Sequence, residues 1–124
     1  MYIQQNPNPY GRRVGDCAVR AISIALNQDW FLTYWGMCLE GAYLGNMPDG
    51  NEVWGSYLEK HGFVREDLPN KCPACYTVRD FAADHRAGVY VLGTQKHAVC
   101  VIDGNYVDAW DSGDEVPVYV WRKE

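Results

Sequence analysis

The sequence predicts an α+β fold in which helices come first and strands last. Helical periodicity dominates the first two thirds of the chain, whereas short segments rich in Val, Ile, Tyr and Trp follow Gly88. Helices and strands that are segregated along the chain are typical of α+β domains, not of alternating βαβ units. With 124 residues and 48% apolar content, the chain can form one core, so we expect a single domain spanning residues 1–124.

Composition narrows the function classes. The net charge of −5 argues against general nucleic-acid binding. No apolar run is long enough for a membrane span, and residues 1–7 lack the pattern of a secretory signal, so we expect no membrane association. Five cysteines without such a signal indicate reduced thiols, and therefore a cytoplasmic protein.

The segment 14–26 predicts a buried helix with a cysteine in its first turn. Asp16 is a suitable N-cap, because its carboxylate can accept from the free N–H groups of that turn. Cys17 follows at the first helical position, where the helix dipole favours a thiolate. The remainder is apolar except for a stripe formed by Asp16, Arg20, Ser23 and Asn27. Such a helix belongs in the centre of a domain.

Three further helices are predicted between a polar N-terminal arm, residues 1–15, and the strands. The second covers residues 28–44, and its expected buried stripe is Phe31, Trp35, Cys38, Leu39 and Ala42. The third follows the capping sequence 49–52 and ends at Gly62, before a short strand at 63–64. The fourth opens with a capping box from Thr77 to Asp80. An antiparallel meander is then expected from strands at 89–92, 97–102, 106–110 and 116–121.

A cysteine nucleophile needs a base and a group that orients the base. His97 opens a predicted strand and is the best candidate base. The orienting acid depends on hairpin register. A loop at 103–105 places Asp111 opposite His97, whereas a loop at 104–105 places Ser112 there. Asp108 lies further along the strand in both registers, so Asp111 is favoured and Asp108 is the alternative.

These motifs resemble the papain-like cysteine peptidases. The similar features are Gly15-Asp16-Cys17 at the start of a buried helix, His97-Ala98-Val99 on a late strand, and a Tyr-led strand followed by Asp111-Ser112. Compact bacterial and phage members, such as double-glycine peptidases, are similar in carrying Asp as the third residue. The resemblance implies a Cys17 helix packed on a C-terminal antiparallel sheet. It also implies hydrolysis of an amide or isopeptide bond in a peptide or protein substrate, without a cofactor.

One position departs from the family pattern. Papain-like enzymes usually have a glutamine about six residues before the cysteine as an oxyanion-hole donor, and here that position is Gly11. Asn8 could substitute through a different loop path, together with the backbone N–H of Cys17. The missing glutamine also supports an alternative function, in which a catalytically inactive papain-like scaffold serves as a binding or inhibitor protein.

Cys72-Pro73-Ala74-Cys75 forms a separate Cys-x-x-Cys motif. Redox chemistry and half of a zinc site are the functional interpretations of this spacing. No core strand leads into the motif and no second ligand pair is evident. We therefore expect a surface loop whose two thiols can pair on oxidation, and no metal site.

Overall fold

A computed structural model describes residues 1–69 and 75–124, and within them the chain is α+β, as predicted. Its described part contains four helices and one six-stranded mixed sheet. The elements are β1 (Tyr2–Gln4), α1 (Cys17–Leu26), α2 (Trp30–Leu44), α3 (Asn51–Glu59), β2 (Phe63–Asp67), α4 (Val78–Asp84), β3 (Val89–Gly93), β4 (Ala98–Ile102), β5 (Asn105–Asp108) and β6 (Tyr119–Lys123).

The strand order in the sheet is β1-β5-β4-β3-β6-β2. The predicted antiparallel meander is confirmed for β3, β4 and β5. It is wrong for the last strand, because β6 crosses back to lie between β3 and β2. The N-terminal arm also enters the sheet, since β1 pairs parallel to β5, with Gln4 opposite Asp108. The expected C-terminal antiparallel sheet is therefore a mixed sheet that recruits strands from both ends of the chain.

Helix α1 packs on this sheet and is buried from Ala18 to Ile24. Its apolar side chains share a core with β4 residues such as Ala98 and Cys100. The hydroxyl of Ser23 on the buried side is satisfied locally. Ser23 Oγ donates to Val19 O at 2.7 Å and lies 2.8 Å from Thr33 Oγ1. The predicted central helix is thus confirmed.

Helix α2 buries a different face from the one expected. Its inward side comprises Thr33, Met37, Glu40 and Gly41. Trp35 and Leu39, assigned to the buried stripe, are 62% and 73% exposed. A glycine allows this packing, because a Cβ on Gly36 would come within 2.5 Å of the Tyr57 side chain on α3. Close backbone approach, not hydrophobicity, selects the packed side.

The third and fourth helices bury their predicted faces, but the capping expected at residues 49–52 is wrong, because Gly50 is the N-cap of α3 and no side chain caps this helix. Val53, Trp54, Tyr57 and Leu58 of α3 are buried, and Gly62 has a φ of +85° where the chain turns towards β2. The capping box of α4 is present, with Thr77 Oγ1 accepting from Asp80 N and Asp80 Oδ2 accepting from Thr77 N. Helix α4 covers the opposite side of the sheet, where Phe81 packs with Leu92 and Val101.

The structure bears in part on two predictions, the pairing of Cys72 with Cys75 and the absence of a membrane span. Cys72 lies outside the described residues, so the pairing expected for Cys72 and Cys75 stays a prediction. Among the helices of residues 1–69 and 75–124, none combines the length and apolar character needed to cross a membrane.

Candidate active site

Cys17 is the first residue of α1, but Asp16 does not cap the helix with its side chain. The Asp16 carboxylate instead contacts Arg20 Nη1 and accepts from Asn8 Nδ2 and Trp30 Nε1, both at 3.1 Å. The predicted side-chain cap is therefore wrong, because stronger buried donors compete for the carboxylate. Arg20 balances the charge of Asp16, and the N–H groups at the start of the helix are left without a side-chain acceptor from Asp16.

His97 lies one residue before β4, on a loop that Thr94 holds in place. Thr94 Oγ1 accepts from the backbone N–H groups of Lys96 and His97, at 3.1 and 2.9 Å. The backbone of Thr94 also donates to His97 O at 2.8 Å. The position of the imidazole is therefore fixed by a closed turn as well as by the strand that follows it.

Asp108, not Asp111, orients His97. Asp108 ends β5, and its Oδ2 lies 2.6 Å from His97 Nε2. The same oxygen accepts from Ser112 Oγ at 2.7 Å, and Oδ1 accepts from Ala109 N at 2.7 Å. Asp111 is exposed, and its Oδ1 accepts from Tyr106 Oη and Gly113 N. The expected contact between Asp111 and His97 is not formed.

The hairpin between β4 and β5 explains this correction. Its loop is Asp103-Gly104, so Ile102 pairs with Asn105 and Cys100 with Val107. Both loop residues have positive φ, 49° and 85°, as a type I′ turn requires. Continued along the strands, this register puts His97 opposite Trp110 and diagonal to Asp108, within reach of a carboxylate. An Asp-Gly turn is a strong hairpin signal in sequence, but neither register considered above used these two residues as the loop.

Cys17 and His97 form the candidate reactive pair. Burial alone would raise the pKa of the Cys17 thiol, but hydrogen bonds from His97 and the Ala98 backbone, with the charges of His97 and Arg20, hold it below the ordinary value. Burial would lower the pKa of His97, but its hydrogen bonds to Asp108 and Cys17 raise it to about 9. Asp108 is hydrogen-bonded to Nε2 of His97, so Nδ1 is the ring nitrogen that can interact with the thiol. Both shifts act in the direction of a thiolate–imidazolium pair.

Arg20 connects the two acidic residues of the site. Its side chain is buried, with Nη1 on Asp16 and Nη2 3.7 Å from Asp108 Oδ1. Burial opposes ionisation of Asp108, but hydrogen bonds from His97 and Ser112 keep its pKa below the usual value. Arg20 Nε has no acceptor among the residues described. Asp16, Arg20, Asp108 and His97 therefore form one buried polar chain that leads to Cys17, and its Arg20 link was not foreseen from the helical stripe.

The thiol opens onto a cleft of about 260 Å³. Polar groups from the start of α3 and the loop before His97 line it beside Trp54, namely Asp49, Asn51, Gln95 and Lys96. Trp110 covers the imidazole, with its ring centroid 4.7 Å from that of His97. The cleft therefore exposes the sulfur to a ligand while the far side of the imidazole is shielded.

Asn8 is buried, but it does not line this cleft. Its Nδ2 donates to Asp16 and its Oδ1 accepts from Tyr10 N at 2.9 Å. The expectation that Asn8 donates in an oxyanion hole finds no support in this placement, because its amide serves the carboxylate next to Cys17. The backbone N–H of Cys17, at the positive end of α1, is the donor that the helix geometry leaves available.

Comparison with known proteins found no relative. No family model, curated protein or solved structure matches this chain significantly.

Proposed function

We propose that this protein is a papain-like thiol hydrolase that cleaves an amide or isopeptide bond in a peptide or protein. The observation that carries the proposal is the placement of Cys17 and His97 on the wall of one cleft, with His97 Nε2 held by Asp108 at 2.6 Å. A nucleophile, a base and an orienting acid in hydrogen-bonded order are the components that cysteine hydrolysis needs.

The acylation step uses the thiolate–imidazolium pair. The Cys17 thiolate attacks the carbonyl carbon, a C–S bond forms, and the π electrons move to the carbonyl oxygen. The Cys17 N–H at the helix start stabilises this developing oxyanion. The tetrahedral intermediate then collapses, the C–N bond breaks, and the His97 imidazolium gives its proton to the leaving amine. The product is a thioester on Cys17.

Deacylation reverses the roles of the same groups. Neutral His97 removes a proton from water as the water oxygen attacks the thioester carbon. Collapse of the second tetrahedral intermediate breaks the C–S bond and releases a carboxylic acid, and the proton on His97 restores the ion pair. Asp108 stays ionised throughout and keeps Nε2–H pointing at its carboxylate, so that Nδ1 faces the sulfur.

Three features support the papain-like assignment. The nucleophile begins a buried helix, the base precedes a strand, and the acid ends the antiparallel neighbour of that strand. The chain order Cys, His, Asp is that of the family. The glutamine of the family pattern has no counterpart here, so oxyanion stabilisation depends more heavily on the start of α1.

The proposal is tested with purified protein and a library of internally quenched peptides. We expect hydrolysis by the parent protein and none by the Cys17→Ser variant, whereas the Cys38→Ser variant keeps full activity because that thiol lies on α2, outside the site. Iodoacetamide labelling, read cysteine by cysteine by mass spectrometry, should modify Cys17 faster than Cys38 at pH 7. Equal labelling rates with no hydrolysis would overturn the proposal and favour the inactive binding scaffold.

A further inference from the structure

A second cavity lies on the other side of the segment that precedes Cys17. It has a volume of about 720 Å³, and Arg12, Arg13 and Arg20 line it together with Trp110 and the amides of Gln4 and Asn6. No acidic side chain is among its lining residues. Its polar walls therefore consist of hydrogen-bond donors with positive charge and two neutral amides.

This cavity borders the proposed active site through two residues. Gly15 lines both this cavity and the cleft in front of Cys17. Trp110 forms another wall and contacts the ring of His97. An extended chain bound across Cys17 can therefore continue past Gly15 into the arginine-lined space.

Positive charge is concentrated at this cavity, although the molecule as a whole is negatively charged. The chain carries a net charge of −5, whereas this cavity is lined by three arginines and by no acidic side chain. Arg20 is balanced by Asp16 and Asp108. Arg12 and Arg13 are exposed, and neither belongs to an ion pair within residues 1–69 and 75–124. Two guanidinium groups are thus available to a ligand.

We propose that Arg12 and Arg13 bind a carboxylate of the substrate while Cys17 attacks a nearby amide bond. Guanidinium groups are well matched to carboxylates because their N–H donors can bond both oxygens. The carboxylate belongs either to an Asp or Glu side chain near the scissile bond or to the C-terminus of the peptide. This inference rests on the proposed function, and it assigns the substrate class of the same site as acidic peptides.

Matched electrophilic peptides test the inference without a known substrate. One series carries an N-terminal chloroacetyl group and the other a C-terminal chloromethyl ketone, and each places Asp or Asn at successive positions from the electrophile. The chloroacetyl series also compares a free C-terminus with an amide in neutral peptides. The second-order rate constant for Cys17 alkylation is measured for each peptide by mass spectrometry.

We expect the acidic member of at least one pair to react about tenfold faster, the size of effect that one charge-assisted hydrogen bond gives. An advantage for Asp identifies a side chain as the ligand, and an advantage for the free C-terminus identifies the terminal carboxylate. Arg12→Gln combined with Arg13→Gln should reduce the ratio below about twofold while leaving the iodoacetamide rate unchanged. Arg86→Gln, which removes an exposed positive charge near the Asp103-Gly104 turn, should keep the full ratio.

The outcomes separate this inference from the proposed function. If Cys17 is more reactive than Cys38 but every acidic and neutral pair reacts equally, the carboxylate site is refuted and the hydrolase proposal stands. An acidic preference that survives the Arg12 and Arg13 substitutions also refutes the site. If Cys17 reacts no faster than Cys38 with iodoacetamide and with every peptide, both proposals fail together.

Discussion

Arg20 Nη2 lies 3.7 Å from Asp108 Oδ1, and this contact joins α1, which begins at Cys17, to the end of β5. The other guanidinium nitrogen, Nη1, contacts Asp16 next to Cys17. One buried cation therefore balances two buried carboxylates, which are costly to bury without a partner. Arg20 does not reach the reacting atoms, so we regard it as a positioning residue for His97 and Cys17.

Replacing Arg20 with Met should destabilise the protein by about 3 kcal/mol, because Asp16 and Asp108 lose their shared cation. It should also raise the pKa of Cys17, since the charge of Arg20 is one of the causes that lower it. Urea unfolding and the pH dependence of Cys17 alkylation measure the two effects.

The conservative variant distinguishes positioning from general stability. Arg20→Lys retains the charge and should recover most of the low pKa of Cys17, although Lys cannot bridge both carboxylates as a planar guanidinium does. A normal alkylation profile for Arg20→Met in the folded protein would contradict the positioning role.

Asp108→Asn should reduce hydrolysis at least about 100-fold, because His97 loses the carboxylate that orients it and stabilises its charge. The pKa of His97 should fall from about 9, since the hydrogen bond to Asp108 is the largest cause that raises it. NMR titration of the His97 ring checks the shift.

Asp111→Asn is the matched control, because it changes the same chemical group three residues along the chain. Asp111 is exposed and interacts with Tyr106 and Gly113, so hydrolysis and the His97 titration should stay close to those of the parent protein. If Asp111→Asn reduced hydrolysis more than Asp108→Asn did, Asp111 would be the orienting acid, as the sequence predicted.

Hydrolysis should be active at neutral pH and decline as the pH rises through about 9, the pKa of His97. Above this pH the imidazolium has lost the proton that the leaving amine requires.

The ion pair also stabilises the fold below this pH. A His pKa raised above its ordinary value of 6.5 contributes stability that is fully present below 6.5 and lost as the pH rises through about 9.

His97→Ala supplies the comparison for this pH dependence. Without the imidazole, burial dominates at Cys17, so its alkylation should titrate at or above the ordinary thiol pKa of 9.0. The parent protein should react substantially at pH 7. Identical alkylation profiles for the two proteins would show that no ion pair forms.

Gly41→Ala should destabilise the protein by about 1–3 kcal/mol, although Ala favours a helix interior over Gly by about 1 kcal/mol. The added Cβ would meet the backbone oxygen of Asn46 at 2.7 Å, and a backbone atom cannot rotate away. Urea unfolding measures the change.

Leu39→Ala is the control for α2, since Leu39 is 73% exposed and its truncation should change the stability by less than about 0.5 kcal/mol. A gain in stability for Gly41→Ala would mean that helix propensity, not close packing, governs this position.

The features that could be predicted from the sequence are those that depend on local patterns. The α+β class, the capping box at Thr77 and the burial of α1 follow from periodicity and capping chemistry over a few residues. The packed face of α2 could not be predicted from hydrophobicity. It depends on how closely α2 approaches Tyr57 of α3 at Gly36, which is a property of the assembled structure.

The prediction of Asp111 as the acid of the candidate site was wrong for a different reason. A change of one residue in the hairpin loop moves every partner on β5, so the choice between Asp108 and Asp111 depended entirely on the turn. The partnership of Arg20 with Asp108 required the contact between α1 and the end of β5, for which the sequence contains no local signal.

The pairing of β1 with β5 has a consequence for the order in which the protein folds. Tyr2 Oη donates to the backbone oxygen of Asp108 at 3.2 Å, and these residues are 106 positions apart in the chain. Gln5 N donates to the same oxygen at 2.9 Å. Strand β1 can dock only after β5 has been synthesised, so this edge of the sheet is closed by long-range contacts that form late in folding.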